Sequence, residues 1–339
     1  MTNTDFEDDT AELNRLRGAA MAGDIAAKMH LTRRLIGMPQ NGNELIEGVA
    51  VTLSAANDGN GEAAYLSAVL AAGAIAMKRN WAAALVYLQR AAELGHGPAQ
   101  MELAALSSDT ALAARALEGN APADAWATLR KSIDLKNHMT PPRPKTLGVS
   151  PRMAVAENFA SPALCDYLIA QASPRLQPLP AVDGSVPGVE AAAAMRFSIP
   201  DFNLQTILLL DRIAEITHLP HRGLEAPAVL RFARNTPFPP HADYLDPGDL
   251  DLRDQLIAEG QRLVTFLLFL NDDYEGGETD FPNIPRQFKG KKGDALFWWN
   301  LDPDGGLEPA AHNGNLAVTQ GEKFVLSQWI RIPALQRGA

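Results

Sequence analysis

The chain has 339 residues and a mass of 36.5 kDa, with 46% hydrophobic and 21% charged residues; this excludes a disordered or fibrous protein and leaves room for two domains with full cores. A single cysteine, Cys165, excludes an internal disulfide scaffold and a four-cysteine zinc site. The net charge of -10 and pI near 5.2 argue against a general nucleic-acid binder. No apolar run approaches the ~20 residues of a membrane span, and the acidic start MTNTDFEDDT lacks the pattern of a signal peptide, so the expectation is a cytoplasmic protein with neither nucleic-acid nor membrane partners.

Residues 1–136 are rich in Ala and Leu and repeat. Ala20, Ala56 and Ala92 are spaced 36 residues apart, as are Gly23, Gly59 and Gly95, Ala27, Ala63 and Ala99, and Met29, Tyr65 and Met101. A fixed period of this size with small residues at set phases predicts an α-helical solenoid. The alanines let paired helices approach closely, and each glycine ends a helix in a left-handed conformation. A weaker helix is predicted over 124–135, as a cap on the array. The pattern, seen best in WAAALVYLQRAAELGHGPAQMELA (81–104), resembles the Sel-like repeat, a relative of the tetratricopeptide repeat. Solenoids of this kind present surfaces to peptides or proteins. The alternative is an Ala-rich bundle with chance periodicity.

A linker follows at 137–148, NHMTPPRPKTLG, whose three prolines break any helix. Beyond it, at 149–339, short β-type runs alternate with Pro/Gly punctuation. AVLRFA (228–233), LVTFLLFL and ALFWW read as strands, and alternation from Lys323 to Arg331 predicts a half-buried strand.

Of the seven histidines, His96 falls in a repeat loop and reads as structural. His218 and His221, in THLPHRG, have a spacing that suits a ligand pair, but no carboxylate-rich strand lies nearby and the structural reading is favoured. His241 differs. Two prolines lead into His241-Ala242-Asp243, and in extended backbone residues i and i+2 share a side, so an imidazole and a carboxylate aim at one point. With one distant histidine, such a pair makes the two-histidine, one-carboxylate set that holds ferrous iron and leaves positions open. H-x-D alone is common by chance.

Several segments then agree in order. MAVAENFASPALCDYLI (153–169), MRFSIPDFN, LLLDRIAEITHLP, APAVLRFARN, HAD, NDDYEGGETDFP, KGDALFWWN, His312 and GEKFVLSQWIR together resemble the prolyl 4-hydroxylase-type family of Fe(II)- and 2-oxoglutarate-dependent dioxygenases. The resemblance implies an α + β multidomain protein: the helical solenoid followed by a double-stranded β-helix, or jelly roll, with flanking helices. It implies that His241, Asp243 and His312 ligate Fe(II), with no catalytic residue beyond these ligands. It implies that Lys323 pairs with the far carboxylate of 2-oxoglutarate, Thr265 hydrogen-bonds nearby, and Trp329 packs along the co-substrate cavity. The implied activity is hydroxylation of a C–H bond, with a prolyl residue as the first expectation, coupled to oxidative decarboxylation of 2-oxoglutarate to succinate and CO2. It uses O2, with ascorbate as reductant and with the repeats recruiting a protein or peptide substrate. Glu275 to Thr279 (EGGET) reads as a structural turn, Arg262 as structural or functional, and the acidic 243–261 segment as a substrate lid or a solvated loop.

The chain departs from the family where tyrosines are usual, at Phe232 and Phe238, and where a proline is common, at Leu316 and Ala317. Lys323 follows His312 by eleven residues, one more than the common interval. Two alternatives therefore stand beside the hydroxylase: a scaffold on a catalytically weak oxygenase fold, and a jelly-roll metalloenzyme that does not use 2-oxoglutarate.

Overall fold

The computed structural model describes residues 3–179, 192–235 and 237–332. Parts of the expected dioxygenase region, 180–191 and 333–339, lie outside the described residues. Among the described residues no helix is long and apolar enough to cross a membrane.

Contacts divide the chain into two units, Met1–His138 with Ser198–Leu208, and Met139–Phe197 with Leu209–Ala339. The first is built on helices α1 (Asn3–Met21), α2 (Ile25–Gly37), α3 (Gly42–Asn57), α4 (Gly61–Gly73), α5 (Trp81–Glu93), α6 (Gly97–Leu106), α7 (Thr110–Leu117), α8 (Ala125–Lys131) and α9 (Leu135–Met139). From α1 to α7 each helix packs on the next. The 36-residue phases fall on equivalent jobs. Gly23, Gly59 and Gly95 have φ of 92°, 91° and 79°, a region that costs glycine least. The next residue in each case, Asp24, Asn60 and His96, is an N-cap accepting from the amide of Ala27, Ala63 and Ala99. Those alanines are buried. The Met29, Tyr65, Met101 phase is not equivalent, because Met29 is buried and Met101 is exposed.

The first unit also holds a buried carboxylate. Glu102 Oε1 accepts from the amide of Gln205 at 2.9 Å, and burial pushes its pKa up to about 7. This contact places Gln205 with the helical unit, where the sequence pattern assigns it to the second domain.

The second unit contains β1 (Lys145–Val149), β2 (Arg152–Ala156), α10 (Pro162–Ala172), β3 (Gln177–Pro178), β4 (Ala192–Arg196) and the C-terminal part of α11 (Leu204–Thr217). It continues with β5 (Ala228–Phe232), β6 (Phe238–His241), α12 (Leu250–Glu259), β7 (Gln261–Phe269), β8 (Glu275–Gly276) and β9 (Thr279–Phe281). The remaining strands are β10 (Arg286–Phe288), β11 (Ala295–Trp299), β12 (Asn313–Asn315), β13 (Val318–Gln320) and β14 (Lys323–Ile332). Of the expected linker, Asn137–Met139 belong to α9 and Lys145–Gly148 to β1, because KTLGV lacks proline and pairs with β2.

The strands form an antiparallel eight-stranded sheet, β1-β2-β11-β7-β14-β5-β4-β3, and a four-stranded sheet, β10-β9-β12-β6. β13 and β8 pair separately. The core draws on both larger sheets, with Trp298, Phe269 and Leu296 from one and Phe281 from the other. β14 is not half-buried as its alternation predicts. It lies between β7 and β5, and Phe324, Leu326 and Ile330 are as buried as Lys323 and Val325. The face that carries Val325 joins this core and also lines a cavity.

Candidate functional site

That cavity, about 490 Å³, falls in the size range of small-molecule sites. His241, Asp243, Thr265 and Trp329 line it, and Phe232 and Phe238 add apolar wall. Strand register explains the convergence. His241 ends β6, and Asp243 follows two residues on, so both side chains point inward. Thr265, on β7, lies directly opposite Trp298 on one side and Trp329 on the other.

Asp243 is buried, yet both its oxygens are satisfied. Oδ2 accepts from Thr265 Oγ1 at 2.8 Å and from Asn313 Nδ2 at 2.9 Å, and Oδ1 from Trp329 Nε1 at 3.0 Å. Asn300 Nδ2 donates to Thr265 Oγ1 at 2.9 Å, which leaves the threonine proton for the carboxylate. Burial pushes the Asp243 pKa up, but His241, Thr265 and Asn313 outweigh it and hold the carboxyl below its ordinary value. Burial likewise disfavours the charged imidazole of His241, and the hydrogen bond and charge of Asp243 overcome this to raise its pKa.

The pair fits a divalent metal. His241 Nδ1–H donates to the Pro239 carbonyl at 3.1 Å, which leaves Nε2 as the donor atom, and Nε2 lies 3.5 Å from Asp243 Oδ1. His312, the third expected ligand, is not among the residues that line the cavity. The ring of His312 stacks on Tyr244, with centroids 6.0 Å apart, and its Nδ1 lies 3.3 Å from Asn283 Nδ2. Among the described residues no three His, Cys, Asp or Glu side chains converge as a metal-binding group. His312 stands just before β12, whose first residue, Asn313, pairs with His241.

Lys323 shares a face of β14 with Val325, Ser327 and Trp329, all of which line the cavity. Lys323 itself is fully buried at the end of that row. Its Nζ donates to the Gly277 carbonyl (2.8 Å), Thr279 Oγ1 (3.2 Å) and Asn315 Oδ1. All three acceptors are neutral, and burial pulls the ammonium down to about 7. The EGGET glycines build this cradle. Gly276 and Gly277 have φ of 68° and 67°, and a Cβ on Gly276 would lie 2.4 Å from the Ala317 carbonyl.

Arg262, undecided from sequence, lies over the Trp329 ring at 3.5 Å and pairs with Glu225 at 2.7 Å. Glu225 also accepts from Arg331. This clamp fixes the tryptophan whose N–H holds Asp243. The sequence reading missed Asn300, Asn313 and Glu225. His221 sits 3.6 Å from Asp211 and does not line the cavity.

Residues 227–331 match the 2OG-Fe(II) oxygenase superfamily. Prolyl 4-hydroxylase 1 of Arabidopsis thaliana is 33% identical over 208 residues, which cover 56% of this chain and 72% of that protein. Prolyl 4-hydroxylase 13 of the same plant is 30% identical over 204 residues, 55% and 73% of the two chains. The 2OG complex of a viral collagen prolyl hydroxylase, from Paramecium Bursaria Chlorella virus-1, is 26% identical with a TM-score of 0.42 over 53% of this chain and 95% of that one. On the extent of its likeness to the plant enzymes, the chain belongs to the prolyl 4-hydroxylase family of 2OG-Fe(II) oxygenases.

Proposed function

We propose that the protein hydroxylates a prolyl residue of a protein or peptide, coupled to decarboxylation of 2-oxoglutarate. The observation that carries this is the convergence of His241 and Asp243 in a cavity whose wall, along one face of β14, runs to a buried lysine with only neutral hydrogen-bond partners. Ferrous iron, when bound, would supply the oxidative decarboxylation of 2-oxoglutarate to succinate and CO2, with O2 as oxidant giving one oxygen atom to succinate and one to the hydroxylated product.

The chain's own groups do the positioning. His241 offers Nε2 because its Nδ1 proton is held by Pro239. Asp243 stays ionised and fixed because Thr265, Asn313 and Trp329 spend their protons on it. Lys323 holds the far carboxylate of 2-oxoglutarate by supplying the positive charge that its present acceptors leave uncompensated. Phe232, Leu267 and Trp298 wall the cavity and exclude water from the reacting groups.

On this reading the second unit is a double-stranded β-helix, and the helices of the first are Sel-like repeats that recruit the substrate protein. Ascorbate serves as reductant, and the setting is cytoplasmic. Incubation with Fe(II), ascorbate, 2-oxoglutarate and proline-containing peptides is expected to release succinate and add one oxygen atom to a proline. Asp243→Ala is expected to abolish both. A second reading, a binding module with slow turnover, is favoured by the position of His312, which does not line the cavity. It predicts 2-oxoglutarate binding without succinate release.

A further inference from the structure

Resting on the reading of the cavity as a 2-oxoglutarate site, we propose that Asn315 donates a hydrogen bond to the far carboxylate of the co-substrate, beside the charge of Lys323. β12 runs along the site from one end to the other. Its first residue, Asn313, reaches Asp243 at 2.9 Å, and its last, Asn315, reaches Lys323. Both line the cavity. At ~3.3 Å of rise per residue they stand about 7 Å apart, a span that suits a five-carbon dicarboxylate held at its two ends.

The amide of Asn315 has a fixed orientation. A lysine ammonium has no lone pair, so the atom that meets Lys323 Nζ is the carbonyl oxygen Oδ1. Thr279 Oγ1 accepts from the same ammonium at 3.2 Å, and its own proton is left for Oδ1, at 3.5 Å. Nδ2 is therefore turned away from the lysine. Among the described residues none accepts a hydrogen bond from Nδ2, and Nδ2 is not one of the buried, unpartnered polar atoms. Its protons are offered to the cavity.

The wall opposite Lys323 gives no such donor. Phe232 pairs with Lys323 across β5 and β14, and its ring centroid lies 5.5 Å from Nζ. A phenyl ring donates nothing, and the three protons of the ammonium point at Gly277, Thr279 and Asn315. Asn315 carries that charge towards the ligand: Oδ1 accepts from the ammonium, which polarises the N–H bonds on the cavity side. Lys323 supplies the charge at this end, and Asn315 the directed bond.

The test is calorimetric titration of N-oxalylglycine into the Mn(II)-loaded full chain. Asn315→Ala is expected to weaken binding about tenfold or more. Asn315→Asp keeps the shape and an acceptor for Lys323 but has no N–H and repels the carboxylate, so it is expected to weaken binding about 100-fold or more. This variant keeps the test open should the alanine variant fail to fold. Adding a hydroxyl to the bare wall, as Phe232→Tyr in the Asn315→Ala background, is expected to recover at least about threefold, a gain that a merely structural role for Asn315 does not give. An analogue whose far carboxylate is a methyl ester is expected to bind the parent and Asn315→Ala alike. The proposal is overturned if Asn315→Ala or Asn315→Asp binds N-oxalylglycine within about twofold of the parent, if the added hydroxyl recovers nothing, or if the ester loses as much affinity as the free acid. Absence of N-oxalylglycine binding by the parent would overturn the co-substrate reading itself, so the two failures are distinguishable.

Discussion

Lys323 gives the account a magnitude. Its ammonium is buried among neutral oxygens, and burial brings its pKa from 10.5 down to about 7. A bound dicarboxylate needs that ammonium protonated. Above pH 7 the free protein must first take up a proton, so the dissociation constant grows as one plus ten to the power (pH minus about 7). From pH 6.5 to 8.5 this is a loss of about 25-fold, or about 2 kcal/mol. The assay is calorimetric titration of N-oxalylglycine, a non-reacting analogue, into Mn(II)-loaded protein across that range. Lys323→Met is expected to bind weakly and without this pH dependence. A flat profile in the parent, or parent-like binding by Lys323→Met, would refute the assigned role. Stability moves in the opposite sense. The folded pKa lies below the unfolded one, so between pH 7 and 10.5 the unfolded chain holds more protons and stability rises with pH, by about 5 kcal/mol for this group alone.

Four further outcomes follow. Thr265→Val removes one of the donors holding Asp243 and is expected to weaken Mn(II) about 10- to 100-fold by calorimetry, with little change in urea midpoint. Gly276→Ala forces a side chain against the Ala317 carbonyl at positive φ and is expected to cost about 2–3 kcal/mol in urea unfolding. Glu102 has a folded pKa of about 7 against 4.5, so its burial costs stability as pH rises through that window; Glu102→Gln is expected to raise the thermal midpoint at pH 8 and leave it unchanged at pH 4. Asn60→Ala removes an N-cap of the helical unit and is expected to cost about 1 kcal/mol in urea unfolding.

The parts of the site that were legible in the sequence are those set by local geometry. H-x-D reads as a converging pair because extended backbone alternates, and the same alternation puts Lys323 and Trp329 on one face of β14. The 36-residue glycine phase reads as helix ends because few other residues take positive φ, and the turns at Gly23, Gly59 and Gly95 do so. What could not be read was set by partners distant in the chain. Trp329 is held by Arg262 and, through it, Glu225, over a hundred residues away. The irregular register of β12, where Gly314 packs against Phe238 and Pro240, is set by the partner strand in the same way. The buried carboxylate of Glu102 was likewise hidden, since its partner Gln205 lies 103 positions further on.

The most direct measurement is a crystal structure with Mn(II) and N-oxalylglycine, with the metal located by its anomalous signal. The expected map shows a single strong peak bonded to His241 Nε2 and an Asp243 oxygen, with the analogue's far carboxylate on Lys323 Nζ. A peak elsewhere, or an analogue whose far carboxylate does not meet Lys323, would contradict the assignment of the cavity.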